Sequence, residues 1–261
     1  MKYVFLMKKT FPLFVFFLFF SCASKKDIVY YQNINETDTT VPTVSYEVKI
    51  QPDDLLMIIV SAEDPEIAMP FNLTSVIVPN TANLQAAVGQ QTIQYYLVDK
   101  NGNIEFPVLG KLQVGGLTRT EVLQSLKDKI GVYIKNPIIN LRIMNFKVSL
   151  QGEVNLPGTF SITSERLTLM EALSMAKDLT IYGRRDNILI IREINGVKSY
   201  NRVDITQADF INSPFYYLAQ NDVIYVEPNK TKVNAAAVGP NTSVIISAVS
   251  ILISLSVLIF K

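Results

Sequence analysis

The chain has 261 residues, a formal net charge of +1, no histidine and one cysteine. Its Lys and Arg residues are dispersed, so it carries no electrostatic footprint for nucleic acid. The missing histidines remove His bases and His ligands, and a single cysteine excludes an intrachain disulfide or a Cys-rich metal site. No cofactor and no metal is therefore expected.

Residues 1–21 read as a secretory signal, with Lys2, Lys8 and Lys9 ahead of an apolar run at 11–20. Such a run of about ten residues is too short for a membrane span, which takes about 20. Ser21-Cys22 closes it and resembles the lipobox of bacterial lipoproteins, with Phe19 where Leu is usual. That resemblance implies that Cys22 becomes the first residue and is acylated, each buried methylene contributing ~0.8 kcal/mol to membrane attachment. A residue other than Asp after the Cys, here Ala23, implies sorting to the outer membrane. Residues 22–45 then read as the acylated Cys and a tether, polar and Thr-rich from Asn33 onward.

A first module is expected over 46–143. A strand-rich run ends at Val60. Residues 61–93, with Pro65, Pro70 and Pro79, read as an insertion holding a mobile loop. The apolar run at 95–98, the break Asp99-Lys100-Asn101-Gly102 and the strand at 104–108 read as a β-hairpin, since Asn and Gly tolerate positive φ. Pro107 and Gly110 bend the chain, and Gly115-Gly116 end a short strand at 112–114. Thr118 and Glu121 have capping-box spacing, with Leu117 and Val122 placed as a hydrophobic staple. Val122, Leu123, Leu126 and Ile130 repeat at helical spacing up to Gly131. After Asn136-Pro137 a strand is expected over 138–143.

A second module is expected over 147–227. Strands at 148–154 and 159–162 flank the turn Asn155-Leu156-Pro157-Gly158. Thr168 and Glu171 repeat the capping box ahead of a helix with Leu169, Leu173 and Ala176 on one face. Strands at 188–192 and 198–203 flank Asn195-Gly196, a strong hairpin signal, and a last strand covers 223–226. The fold class is α+β: two small modules, each a mixed sheet with a helix across one face.

Residues 240–261 read as a C-terminal transmembrane helix. The apolar and serine run at 244–260 gives a helix of about 26 Å, short for an average bilayer but suited to the thinner bacterial outer membrane. Ser243, Ser247, Ser250 and Ser254 fall within a stripe of roughly 60°, and Ser256 lies opposite. The stripe fits either close helix packing in lipid or the inner wall of a ring of helices.

With these motifs placed, the chain resembles the bacterial outer-membrane polysaccharide export lipoproteins. YEVKIQPDDLL, DKNGNIEFPVLG, GGLTRTEV and Asn136-Pro137 match the polysaccharide export sequence domain. LQGEVNLPGTFSI, LTLMEALSMA and YLAQNDVIYVEP match the soluble-ligand-binding β-grasp domain. Asp53 stands where the family usually has Gly, and Lys177-Asp178 replace a usual Gly-Gly. The resemblance implies a β-grasp-like second module, a lipid-anchored periplasmic body at the outer membrane, and a homo-oligomeric ring, often an octamer, whose C-terminal helices form a barrel. It implies capsular polysaccharide or exopolysaccharide as substrate, and an inner-membrane co-polymerase or tyrosine autokinase as partner. No nucleotide-binding loop is present to drive transport.

Two rival readings are a tethered glycan-binding or scaffold lipoprotein without a pore, and a carboxylate-based glycan hydrolase. The candidate acids Asp99, Glu105, Glu153 and Asp222 each fall in a turn or alternating strand, where a solvated acid is the default. Hydrolysis needs two of them ~5–9.5 Å apart across a cleft. No catalytic residue is expected.

Overall fold

The computed structural model describes residues 25–34, 47–77, 90–194, 196–239 and 242–259. The signal segment, Cys22, most of the expected tether and the loop at 78–89 lie outside them.

Two hydrophobic cores organise the body, one drawn from residues 50–141 and the other from Val48 and residues 146–226. The first is built on a three-stranded antiparallel sheet, β1 (Leu55–Ser61) flanked by β4 (Tyr96–Leu97) and β7 (Ile138–Ile143). Alternation along β1 sends Leu56, Ile58 and Val60 inward. The expected mobile loop falls mostly on residues 78–89, outside the described residues, and the described part of the 61–93 stretch is structured. It holds a helical turn, α1 (Pro65–Ala68), capped by Asp64, and the paired strands β2 (Thr74–Ile77) and β3 (Gln90–Ile93).

Helix α2 (Arg119–Ile130) follows the expected boundaries. Thr118 Oγ1 accepts from the Glu121 N–H at 3.2 Å, and Glu121 Oε2 accepts from the Thr118 N–H at 2.7 Å. Its Val122, Leu126 and Ile130 enter the first core. The reversal beyond it is made by Asn136 at φ +54°, while Gly131 keeps helical angles.

The expected hairpin around Asn101-Gly102 takes a different form. β4 pairs with β1, and β5 (Asn103–Phe106) pairs instead with β6 (Gly110–Gln113). The Asp99 carboxylate accepts from the Asn101 and Asn103 N–H groups at 2.8 Å each, beside the backbone bonds from the Asp99 N–H to the Asn103 carbonyl and from the Gly102 N–H to the Asp99 carbonyl, so the break closes locally on Asp99. Gly102 instead receives Val114 and Gly115 N–H groups. A Cβ on Gly115 would stand 2.5 Å from Gly102 Cα, so both must be glycine for the two backbones to meet.

The second core lies under a five-stranded sheet ordered β11-β10-β12-β8-β9. Here β8 is Lys147–Gly152, β9 Gly158–Ser161, β10 Ile188–Ile194, β11 Val197–Val203 and β12 Val223–Val226. β12 runs parallel to β8 and antiparallel to β10, so this sheet is mixed while the first is not. Helix α3 (Leu169–Met175) carries the second full capping box and buries Leu169, Ala172 and Leu173. β10 and β11 form the expected hairpin, with Gly196 at φ +76° and Asn195 outside the described residues.

The positions at which the resemblance leads one to expect glycine adopt left-handed backbone without it. Asp53, Lys177 and Asp178 sit at φ +71°, +58° and +67°. The expected tether falls mostly outside the described residues, but its start does not float free. Its residues 30–33 dock on the second module: the Tyr31 and Gln32 N–H groups donate to Ile205 and Thr206 carbonyls, and Asn33 Oδ1 accepts from the Ala208 N–H.

Beyond β12, α4 (Lys230–Val238) is a helix that the sequence reading did not anticipate, capped by Asn229. Gly239 at φ +64° separates it from α5 (Thr242–Ile259). α5 has 18 residues, against the roughly 20 of a full span. Among the described residues no helix is long and apolar enough to cross a membrane, which corrects the expected transmembrane helix as a complete span.

Candidate functional site at the module junction

The two modules are joined at residues 144–146 by a fixed joint. Asn145 Oδ1 accepts from the Leu55 N–H at 2.9 Å, and its Nδ2 donates to the Asp53 carbonyl at 2.9 Å, both in the first module. From the second, Gln220 Nε2 donates to the Asn145 carbonyl at 2.7 Å while its Oε1 accepts from the Lys147 N–H at 2.8 Å. Asp54 lies in the same joint, wholly buried. One carboxylate oxygen accepts from the Gln51 N–H at 2.8 Å, and the other has no hydrogen-bond partner among the described residues. Burial, the dominant influence, raises its pKa to about 6.

A cleft of about 560 Å³ opens beside this joint, walled by both modules. Its floor is apolar, with buried Val48, Phe146 and Ile162. Its rim is charged and hydroxylated. Glu47 takes the Thr120 hydroxyl at 2.8 Å at the start of α2. Arg119 donates through Nε to the Leu141 carbonyl at 2.9 Å and faces Glu165 of the second module at 3.5 Å. That ion pair is open to solvent and worth little as a clamp. Arg166 lies 5.7 Å over the Tyr217 ring. Arg142, on β7, lines the cleft, is exposed, and has no ion pair among the described residues.

The four candidate acids are dispersed. Asp99 closes the turn before β5, and hydrogen bonds led by the Asn103 N–H lower its pKa. Glu105 is exposed on β5, opposite Lys111. Glu153 takes the Thr180 hydroxyl at 2.7 Å. Asp222 departs most from a solvated acid. It is wholly buried and held by Arg192 Nε at 3.0 Å, Arg192 Nη2 at 2.7 Å and the Ala219 N–H at 2.8 Å. Burial keeps its pKa above the ordinary carboxylate value even against that guanidinium.

Of the residues singled out at the membrane ends, Cys22 and the Ser243 side chain lie outside the description. Ser247, Ser250 and Ser254 are on α5, and the Ser254 hydroxyl donates to the Ser250 carbonyl one turn earlier at 2.9 Å. Every described side chain of α5 is exposed. Sequence reasoning missed Asn145, Gln220 and the cleft arginines. The Gln220-Asn221-Asp222 run before β12 was the available signal, but its partners are distant in sequence.

Residues 42–144, the segment that carries the first core and one wall of the cleft, match the family described as polysaccharide biosynthesis/export protein. The chain is also 31% identical over 148 residues to a protein of Ralstonia nicotianae named EPS I polysaccharide export outer membrane protein EpsA, covering 55% of this chain and 38% of the relative. A protein of the same name from Ralstonia solanacearum is 27% identical over 201 residues, covering 74% of this chain and 52% of the relative. The chain thus spans about half or less of the length of these two relatives.

Proposed function

We propose that the chain is a subunit of an outer-membrane machine that exports a capsular polysaccharide or exopolysaccharide, offering a passage and no catalysis. One observation carries this reading: a polysaccharide biosynthesis/export segment shares a chain with a C-terminal helix of apolar residues and serines whose described side chains are all exposed. A helix apolar all round needs a nonaqueous surrounding. At 18 residues α5 is about 27 Å long, short of the roughly 20 residues of a full span. The serine stripe of Ser243, Ser247, Ser250 and Ser254 supplies close contacts for copies packed side by side.

In this reading residues 1–21 are removed, Cys22 is acylated at the head of a 22–45 segment, and 46–143 form the export domain. Residues 147–227 are a soluble-ligand-binding β-grasp unit, favoured by the central parallel pair β8–β12 with α3 packed below. The N-terminal segment and α4 meet on the second module, where Asp27 and Ile28 share a depression with Asn229 and Lys230 at the start of α4. The ring receives polymer from an inner-membrane co-polymerase or tyrosine autokinase. A strain lacking the chain is expected to retain polymer inside and show none at the surface. Normal surface polymer would favour a tethered glycan-binding lipoprotein without a pore.

A further inference from the structure

We propose that the inter-module cleft binds an acidic sugar residue of the transported polymer through Arg142, with Arg119 and Arg166 beside it. This rests on the export reading above. Three features of the cleft select that ligand. Its volume, about 560 Å³, falls within the roughly 300–1,000 Å³ of small-molecule sites. Its apolar floor and polar rim match a pyranose ring, which has C–H faces and a girdle of hydroxyls. The deciding feature is charge. Three guanidiniums face two carboxylates, and both carboxylates are engaged, Glu47 by Thr120 and Glu165 by Arg119.

Arg142 is left exposed on a strand, with no ion-paired carboxylate among the described residues. A planar guanidinium pairs with a carboxylate through two parallel hydrogen bonds, and a uronic acid brings that carboxylate on a ring. Because β7 fixes Arg142 and the Asn145–Gln220 joint fixes the opposite wall, the site is formed before the ligand arrives. Binding at one rim residue remains weak enough for a moving polymer to be released.

The test uses the full chain in detergent and two probes, a trimer of galacturonic acid and its fully methyl-esterified, uncharged form, measured by calorimetry. The acid trimer is expected to bind, with affinity falling as salt rises. Arg142→Glu should weaken it at least about tenfold, the ester should bind no better than that variant, and circular dichroism should show the variant folded. Glu165→Gln, which frees Arg119, should tighten binding about two- to fivefold, by a few tenths of the energy of a charged hydrogen bond. Equal binding of acid and ester, no binding of the acid, or no effect of Arg142→Glu would overturn the subsite. Any of these beside lost surface polymer in the deletion strain leaves export standing; normal surface polymer removes the reading on which the subsite rests.

Discussion

The Tyr30 hydroxyl donates to Asp178 Oδ1 at 2.6 Å across 148 residues of sequence. Burial, and then the Asp178 carboxylate, push the phenol's pKa up, so it stays a donor at every physiological pH. This bond fastens the segment that follows Cys22 to the second module. Tyr30→Phe is expected to cost about 1 kcal/mol and to speed proteolysis between residues 25 and 34 while leaving the body resistant. An unchanged cleavage rate would show that Tyr31, Gln32 and Asn33 hold the segment without it.

Asp222 and Arg192 form an ion pair inside the second module, 0% and 7% exposed. Removing one partner strands the other, so Asp222→Ala should destabilise the fold by about 3–5 kcal/mol. Replacing both, with Arg192→Met and Asp222→Leu, should recover much of that loss. Urea unfolding followed by circular dichroism gives the comparison.

Asp54 makes stability depend on pH. Its folded pKa of about 6 lies above the ordinary 3.8, so between about pH 4 and 6 the folded state holds a proton that the unfolded state has released. Stability contributed at this site is present below about pH 4 and is lost as pH rises through about 6. Asp54→Asn should stabilise by about 2–3 kcal/mol at pH 7 and give no gain at pH 4. Urea midpoints at the two pH values decide it, and an equal effect at both would assign the gain to packing.

Lys177 and Asp53 hold left-handed backbone without glycine. Lys177→Gly and Asp53→Gly should each stabilise by about 0.5–1 kcal/mol, the relief of left-handed strain less the entropy glycine adds to the unfolded chain. Asp178→Gly should not, because it deletes the acceptor of both Tyr30 and the Leu179 N–H. Melting temperatures of the three variants separate these outcomes.

The contrast between Asp178 and Thr168 also explains what the sequence made legible. The Thr118–Glu121 and Thr168–Glu171 boxes are complete within four residues, and the alternations of β1 and β7 need only the pleat. Those elements were readable. The β5–β6 pairing was not, because Asp99 closes its own turn and frees β4 to pair with β1. α4 was missed because its residues form no apolar stripe, leaving Asn229 as its one signal. The joint of Asn145 with Gln220, and the cleft beside it, join residues far apart in the chain, so no local pattern announces them.

The central claim is that the chain serves polymer export and that α5 is needed for it. The direct measurement is surface polymer on cells whose chain ends before Thr242, with Cys22 intact and the truncated protein still present in the membrane fraction. The account predicts loss of surface polymer and its retention inside the cell. Wild-type surface polymer on those cells would contradict it.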